Sequence, residues 1–225
     1  MLLPFWSAAI RLFLSGGKMN LIKILFLIAI AGHIICGCCD CLLTYVPGGK
    51  KFDFAKMSDN NAMSETFAKM PLRNINISML GGCLAILMIA CGYYGIYLWL
   101  SEFSKVYPVI ILVSAGLFLS FGVAHHVFCG VAEWFYVRMG MTDDARQAVV
   151  KFFKDTSVTM AVCYIGLITI GVVLFISVVT GSTSLPRWAC VINYIPLALV
   201  LLPLRIGGLG NWSGAAMFLG LMILI

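Results

Sequence analysis

Charge is scarce in this sequence. Lys, Arg, Asp and Glu together make up 11% of its 225 residues, whereas soluble domains carry about 25%. A chain of this size with so little polar surface cannot face water on all sides, which excludes a freely soluble enzyme or binding module. Histidines number only three and acidic residues nine. There is no Gly-rich phosphate loop, no H-E-x-x-H pair and no nucleophile elbow, and no recognisable rhomboid-like Ser/His motif. The formal net charge is +6. The cations sit in short loops between apolar runs and follow membrane topology, so no nucleic-acid partner is expected. The nine cysteines do not make a disulfide framework either. Cys36, Cys38, Cys39, Cys83, Cys91, Cys129 and Cys163 lie inside apolar runs, where thiols act as small buried apolar groups. No oxidising compartment is implied.

Apolar residues are abundant: 62% of the chain is hydrophobic and the mean hydropathy is +1.03. A helix needs about 20 apolar residues to cross a bilayer core, and such runs recur. They are apolar all round rather than alternating, which selects helices over barrel strands. The expected fold is all-α, a polytopic transmembrane helix bundle in one domain. About six spans are expected, near residues 21–45, 75–100, 108–137, 157–180, 188–204 and 209–225. Pro196 is expected to kink the fifth. The sixth is short and ends in bare apolar residues, so either the chain stops at the far interface or the sequence is truncated. Residues 1–17 are apolar but interrupted by Pro4 and Arg11. They read as an interfacial segment, or as an extension upstream of a true start at Met19.

Two stretches between spans are amphipathic. Met63, Phe67 and Met70 recur at i, i+4 and i+7, which predicts a short surface helix near 58–70. Ala145, Val149, Phe152 and Phe153 share a face in a second, near 143–155, with Asp143 as its expected N-cap. Ten of the fifteen lysines and arginines fall in the loops after spans one, three and five, which places those loops in the cytoplasm. The bias sharpens if Met19 is the start, because Arg11 and Lys18 drop out.

One polar constellation is written twice. The first span reads His33-Ile34-Ile35-Cys36-Gly37-Cys38-Cys39-Asp40 and the third His126-Val127-Phe128-Cys129-Gly130-Val131-Ala132-Glu133. Both fit H-x-x-C-G-x-x-[DE], and both are followed by an amphipathic connector and another span. This reads as an internal duplication of span, connector and span, a design common in transport folds. Positions i, i+3, i+4 and i+7 share a helix face, and the two spans run in the same direction. If they face each other across their glycines, His33, Cys36, His126 and Cys129 converge as ligands for a transition metal such as zinc. Asp40 and Glu133 form a second layer suited to acid and base roles. His125 points about 100° away from His126 and is expected to pack elsewhere. Asn193 and Tyr194 either line the same cavity or pair between helices.

The stretch from Gly32 to Gly49, with Cys39-Asp40, Leu42-Leu43-Thr44-Tyr45 and Pro47-Gly48-Gly49, resembles an uncharacterised family of bacterial multi-pass membrane proteins. The resemblance implies a bacterial inner membrane and no activity. Three functions stay open at this point. One is an intramembrane enzyme or metal-binding protein acting on a lipidic substrate. Another is a small proton- or ion-coupled transporter. The third is a scaffold or partner subunit in which Cys-Gly faces and histidines only hold helices together. The partners expected in every case begin with the lipid bilayer.

Overall fold

The computed structural model describes residues 17–48 and 50–225. The expected interfacial segment or extension at residues 1–17 therefore lies outside the described residues, apart from Gly17. The described residues are all-α except for one small hairpin. Helix α1 (Gly17–Thr44) runs into strands β1 (Tyr45–Val46) and β2 (Lys50–Lys51), which pair antiparallel around the Pro47-Gly48 turn. A 3₁₀ turn (Phe54–Ser58) and α2 (Asn60–Phe67) lead to α3 (Leu72–Leu100). Helices α4 (Tyr107–Arg138), α5 (Asp143–Asp155) and α6 (Ser157–Val179) follow. A 3₁₀ turn (Arg187–Val191), α7 (Tyr194–Leu201, continued as 3₁₀ to Leu204) and α8 (Leu209–Leu224) complete the chain.

Among the described residues, four helices, α1, α3, α4 and α6, are long and apolar enough to cross a membrane. Their outward faces carry large apolar side chains in helical stripes. Leu80, Leu84 and Leu87 on α3 are 61–74% exposed, an arrangement that suits lipid and not water. Helix packing in lipid gains little from the hydrophobic effect and relies on close contact through small residues. Gly32 of α1 illustrates this: a Cβ there would lie 2.8 Å from the Ala85 carbonyl oxygen of α3. Gly166 of α6 meets the backbone of Ser114 and Phe118 on α4 in the same way.

The helices pack in a ring: α1 on α3, α3 on α4, α4 on α6, α6 on α7, α7 on α8, and α8 back on α1. At one end of this ring Phe26, Tyr93 and Phe218 form a buried aromatic cluster with the partly buried Phe118 against it, with centroids 5.4–5.6 Å apart along the chain of contacts. At the other end lie the two connectors. Met63, Phe67 and Met70 are buried together with Leu43, Ile75, Ala132, Tyr136, Ala145 and Val149. The first connector therefore turns its apolar face onto protein. The connectors are also tied to each other. Tyr136 Oη donates to Asn60 Oδ1 at 2.9 Å, Asn60 Nδ2 donates to the Met141 carbonyl at 3.1 Å, and Arg146 Nη1 donates to the Met57 carbonyl at 3.2 Å.

Two local expectations need correction. The N-cap of α5 is Thr142, whose hydroxyl accepts from the Ala145 amide at 3.2 Å. Asp143 instead sits in the first turn, held below the usual carboxylate range by Arg146 and Gln147. The stretch expected as one helix over 188–204 is divided. Its break falls at Ile192-Asn193, where Asn193 Oδ1 caps α7 through the Ile195 amide and Asn193 Nδ2 donates to the Gly171 carbonyl of α6 at 2.9 Å. An asparagine that supplies both bonds lets a chain change direction while buried. Pro196, three residues on, lies in the first turn of α7, where its missing N–H costs nothing.

Candidate functional site

The ring of helices borders a cavity of about 540 Å³. All six residues singled out from the repeated motif line it: His33, Cys36, Asp40, His126, Cys129 and Glu133. His125 lines it too, contrary to expectation, and its Nε2 lies 3.6 Å from Cys129 Sγ. Tyr194 borders the cavity, whereas Asn193 pairs between α6 and α7. The connectors supply part of the wall through Phe52, Met57, Met63, Phe67, Val149 and Phe153.

The two helices that carry the motif do not meet through its glycines. Helix α3 lies between them. In the first copy Gly37 approaches Trp212 and Gly208 of the α8 segment, and His33 lies against Gly214. In the second, Gly130 approaches Met79 of α3, and His126 lies against Gly82. A side chain at Gly82 or Gly214 would occupy the space of an imidazole ring. Each copy of the motif thus docks its histidine and its glycine on the helix that precedes it around the ring, α8 for one and α3 for the other.

The four-ligand set expected of His33, Cys36, His126 and Cys129 does not close among the described residues. The set that does come together is Cys36, Asp40 and His126, with ligand atoms all within 4.8 Å of one another. Asp40 is the link between the two motif copies: its Oδ1 lies 3.4 Å from His126 Nδ1. His33 is drawn away by Asn211, and Cys129 by His125.

Asn211, in the first turn of α8, organises the rest. Its Nδ2 donates to Asp40 Oδ2 at 2.7 Å, and its Oδ1 faces His33 Nδ1 at 3.0 Å. An amide oxygen only accepts, so His33 carries its proton on Nδ1. In the neutral ring, Nε2 is then a bare lone pair, and it is buried with no partner. On the other side, His126 Nε2 is 3.0 Å from the Ser78 carbonyl and must donate to it. That leaves His126 Nδ1 facing Asp40 Oδ1. Ser78 is itself anchored, its hydroxyl donating to the Cys39 carbonyl at 2.8 Å. The result is one connected line from His33 through Asn211, Asp40 and His126 to the α1–α3 contact. Glu133 stands apart, one of its carboxyl oxygens buried with no partner.

Asn211 was not found from the sequence. It follows Gly207-Gly208-Leu209-Gly210 at the start of an apolar stretch and belongs to neither copy of the motif. The only available signal was that a lone amide at the start of an apolar run is a candidate partner for an intramembrane acid.

A family model described as a family of unknown function (DUF6796) matches residues 18–224. No curated protein and no solved structure matches the chain.

Proposed function

We propose, from the premise that the chain belongs to this family of unknown function and takes no activity from it, that the protein does acid/base chemistry on an amphiphilic, lipidic substrate held inside the bundle. The observation that carries this reading is the cavity. Apolar side chains from six helices and both connectors wall it, and its lining also includes the Asp40–His126 pair and Glu133, one of whose carboxyl oxygens is buried without a partner. Small-molecule sites have this makeup, mostly apolar with a few convergent polar groups, and volumes of about 300–1,000 Å³. Ionisable groups inside a membrane bundle mark functional positions. Asp40, held by Asn211 and His126, takes the role of base, and Glu133 in its dry niche takes the role of acid. Two carboxyls in contrasting surroundings are the usual basis for such a division.

Six passes across a bacterial inner membrane, with the connectors in the cytoplasm, belong to the same proposal. So does the duplication of span, connector and span. The distribution of Lys and Arg supports the orientation. The shared docking of His33 on Gly214 and of His126 on Gly82 supports a repeated design. A second reading has one specific observation in its favour. Cys36, Asp40 and His126 offer sulfur, oxygen and nitrogen donors within 4.8 Å, a set that fits zinc with a fourth position left open. In that case the metal would supply Lewis acidity, while Asn211 and Ser78 would orient Asp40 and His126.

A single preparation tests both readings. The protein is purified in mild detergent as wild type, Asp40→Asn and Gly122→Trp, the last chosen to fill the cavity. Organic extracts are analysed for lipids by mass spectrometry, and the protein for zinc, iron and copper. A near-stoichiometric amphiphile that is absent from Gly122→Trp supports the lipid site, and metal lost from Asp40→Asn supports the second reading. Wild-type protein with neither an enriched amphiphile nor metal would sink both.

A further inference from the structure

We propose that Cys129 is a nucleophile with His125 as its base, and that the substrate is an acyl lipid whose ester carbonyl the thiol attacks. This rests on the reading of the cavity as an acid/base site for an amphiphile, and it adds a covalent step and a substrate class.

The helix sets the pair. His125 and Cys129 are four residues apart on α4, and positions i and i+4 lie one above the other on a helix face. Cys129 Sγ is 3.6 Å from His125 Nε2, within reach of a hydrogen bond from thiol to imidazole. Both residues line the cavity, and both are half-buried. The imidazole also meets Phe153 of the second connector in a T-shaped contact, with centroids 6.2 Å apart, which limits its rotation. A nucleophile with a base in reach, and a third group holding that base, is the usual constellation of covalent catalysis. The other lining thiol beside an imidazole is Cys36, grouped with Asp40 and His126. It has no free base, because His126 Nε2 donates to the Ser78 carbonyl and Nδ1 faces Asp40.

The lining also selects the electrophile. Among the described residues that border the cavity there is no lysine or arginine, and phosphoryl transfer relies on cations to neutralise the charge of the migrating group. A neutral acyl carbonyl makes no such demand, and its chain suits the apolar wall. In the step itself, the Cys129 proton passes to His125 Nε2 as sulfur bonds to the acyl carbon. The bond from that carbon to the ester oxygen then breaks. The departing oxygen takes a proton from Glu133, one turn beyond Cys129 on the same face. His125 is left as imidazolium, Glu133 as carboxylate and the acyl chain as a thioester on Cys129. Asp40 keeps the role of base for the water or alcohol that later removes the acyl group.

The test uses p-nitrophenyl dodecanoate as the probe, added to the full chain in a mild detergent without ester groups. Reactions are quenched in acid at intervals. Peptide mass spectrometry reads dodecanoyl groups on each cysteine, hydroxylamine lability marks them as thioesters, and p-nitrophenol release is followed alongside. Cys38, which is exposed, is the internal control for unassisted reaction. In wild type Cys129 is expected to react ahead of Cys38. In His125→Gln it should react roughly a hundredfold more slowly, the low end of what a general base contributes. In Gly122→Trp it should not react, while Cys38 keeps its rate in all three proteins. If His125→Gln fails to fold, the comparison of Cys129 with Cys38 in wild type and Gly122→Trp still decides. Cys38 reacting as fast as Cys129, or an unchanged Cys129 rate in a folded His125→Gln, would overturn the proposal. So would wild-type protein with neither a Cys129 thioester nor p-nitrophenol release that His125→Gln loses. The amphiphile site beneath it then stands if organic extracts of the same wild-type protein hold an amphiphile missing from Gly122→Trp, and falls with it if they do not.

Discussion

At the scale of single residues, two glycines and one asparagine set the geometry of the site. Gly82 and Gly214 matter for what they lack. Each leaves a hollow in a helix surface that a histidine ring fills, and a methyl group there would overlap the ring. The neighbours are backbone and packed aromatics such as Phe218, whose centroid is 5.6 Å from that of His33, so the ring has little room to yield. Overpacking of this kind costs about 1–3 kcal/mol. Gly82→Ala and Gly214→Ala are therefore expected to lower the Tm of the detergent-solubilised protein. Gly116 on α4 supplies the control, because nothing lies within 4 Å of a Cβ built there. Gly116→Ala should be neutral or gain up to about 1 kcal/mol, the usual benefit of replacing a helical glycine. Equal Tm values for all three variants would show that the histidine rings do not depend on these hollows.

At the scale of elements, α1, α3, α4 and α6 are legible directly from composition. Each is a long, predominantly apolar run, and an apolar run in lipid has one way to satisfy its backbone. The polar motif is legible for the same reason: histidine and acid are rare in such runs, so their repetition stands out. The pairing of these residues was not legible. The shared motif suggests facing α1 against α4, but sequence periodicity fixes a face and not a neighbour. Helix α3 takes the place between them, and α8 supplies the partner of His33. His125 illustrates the same limit. Its offset of about 100° from His126 takes it off the motif face, yet a cavity bordered by several helices is wide enough to receive both. The break at Asn193 is harder still, since Asn within an apolar stretch reads as one polar residue among many until Gly171 is seen beside it. Its role can be measured. Asn193→Ala removes a cap worth about 0.5–2 kcal/mol and leaves the Gly171 carbonyl without its donor. A lower Tm is expected, with faster amide exchange concentrated in residues 192–197. Exchange that rises evenly along α6 and α7 would show instead that the break is held by packing.

At the scale of the whole molecule, the ring of helices ties site to topology. The cavity is walled by α7 and α8 as well as by the four long helices, so the site is complete only if the segment after α6 returns across the membrane. Helix α8 has 16 residues, about 24 Å at 1.5 Å per residue. The segment before it needs its 3₁₀ turn and α7 together, because α7 alone has 8 residues and spans about 12 Å. The divided fifth stretch is therefore the crossing most in need of proof. Truncated fusions to a cytoplasm-active fluorescent protein and to an export-active phosphatase can decide it. Fluorescence is expected for fusions after Arg73, Gly140 and Arg205, and phosphatase activity for those after Glu102, Ser182 and Ile225. The fusion after Arg205 is the critical one. If it behaves like the fusion after Ser182, the fifth stretch does not cross. Asn211, six residues beyond Arg205, would then enter the membrane from the wrong side to bridge His33 and Asp40. The six-pass reading and the site built on that bridge would fail together. Fluorescence after Arg205 would instead bring the start of α8 to the same side as the end of α1, where the bond from Asn211 to Asp40 needs it.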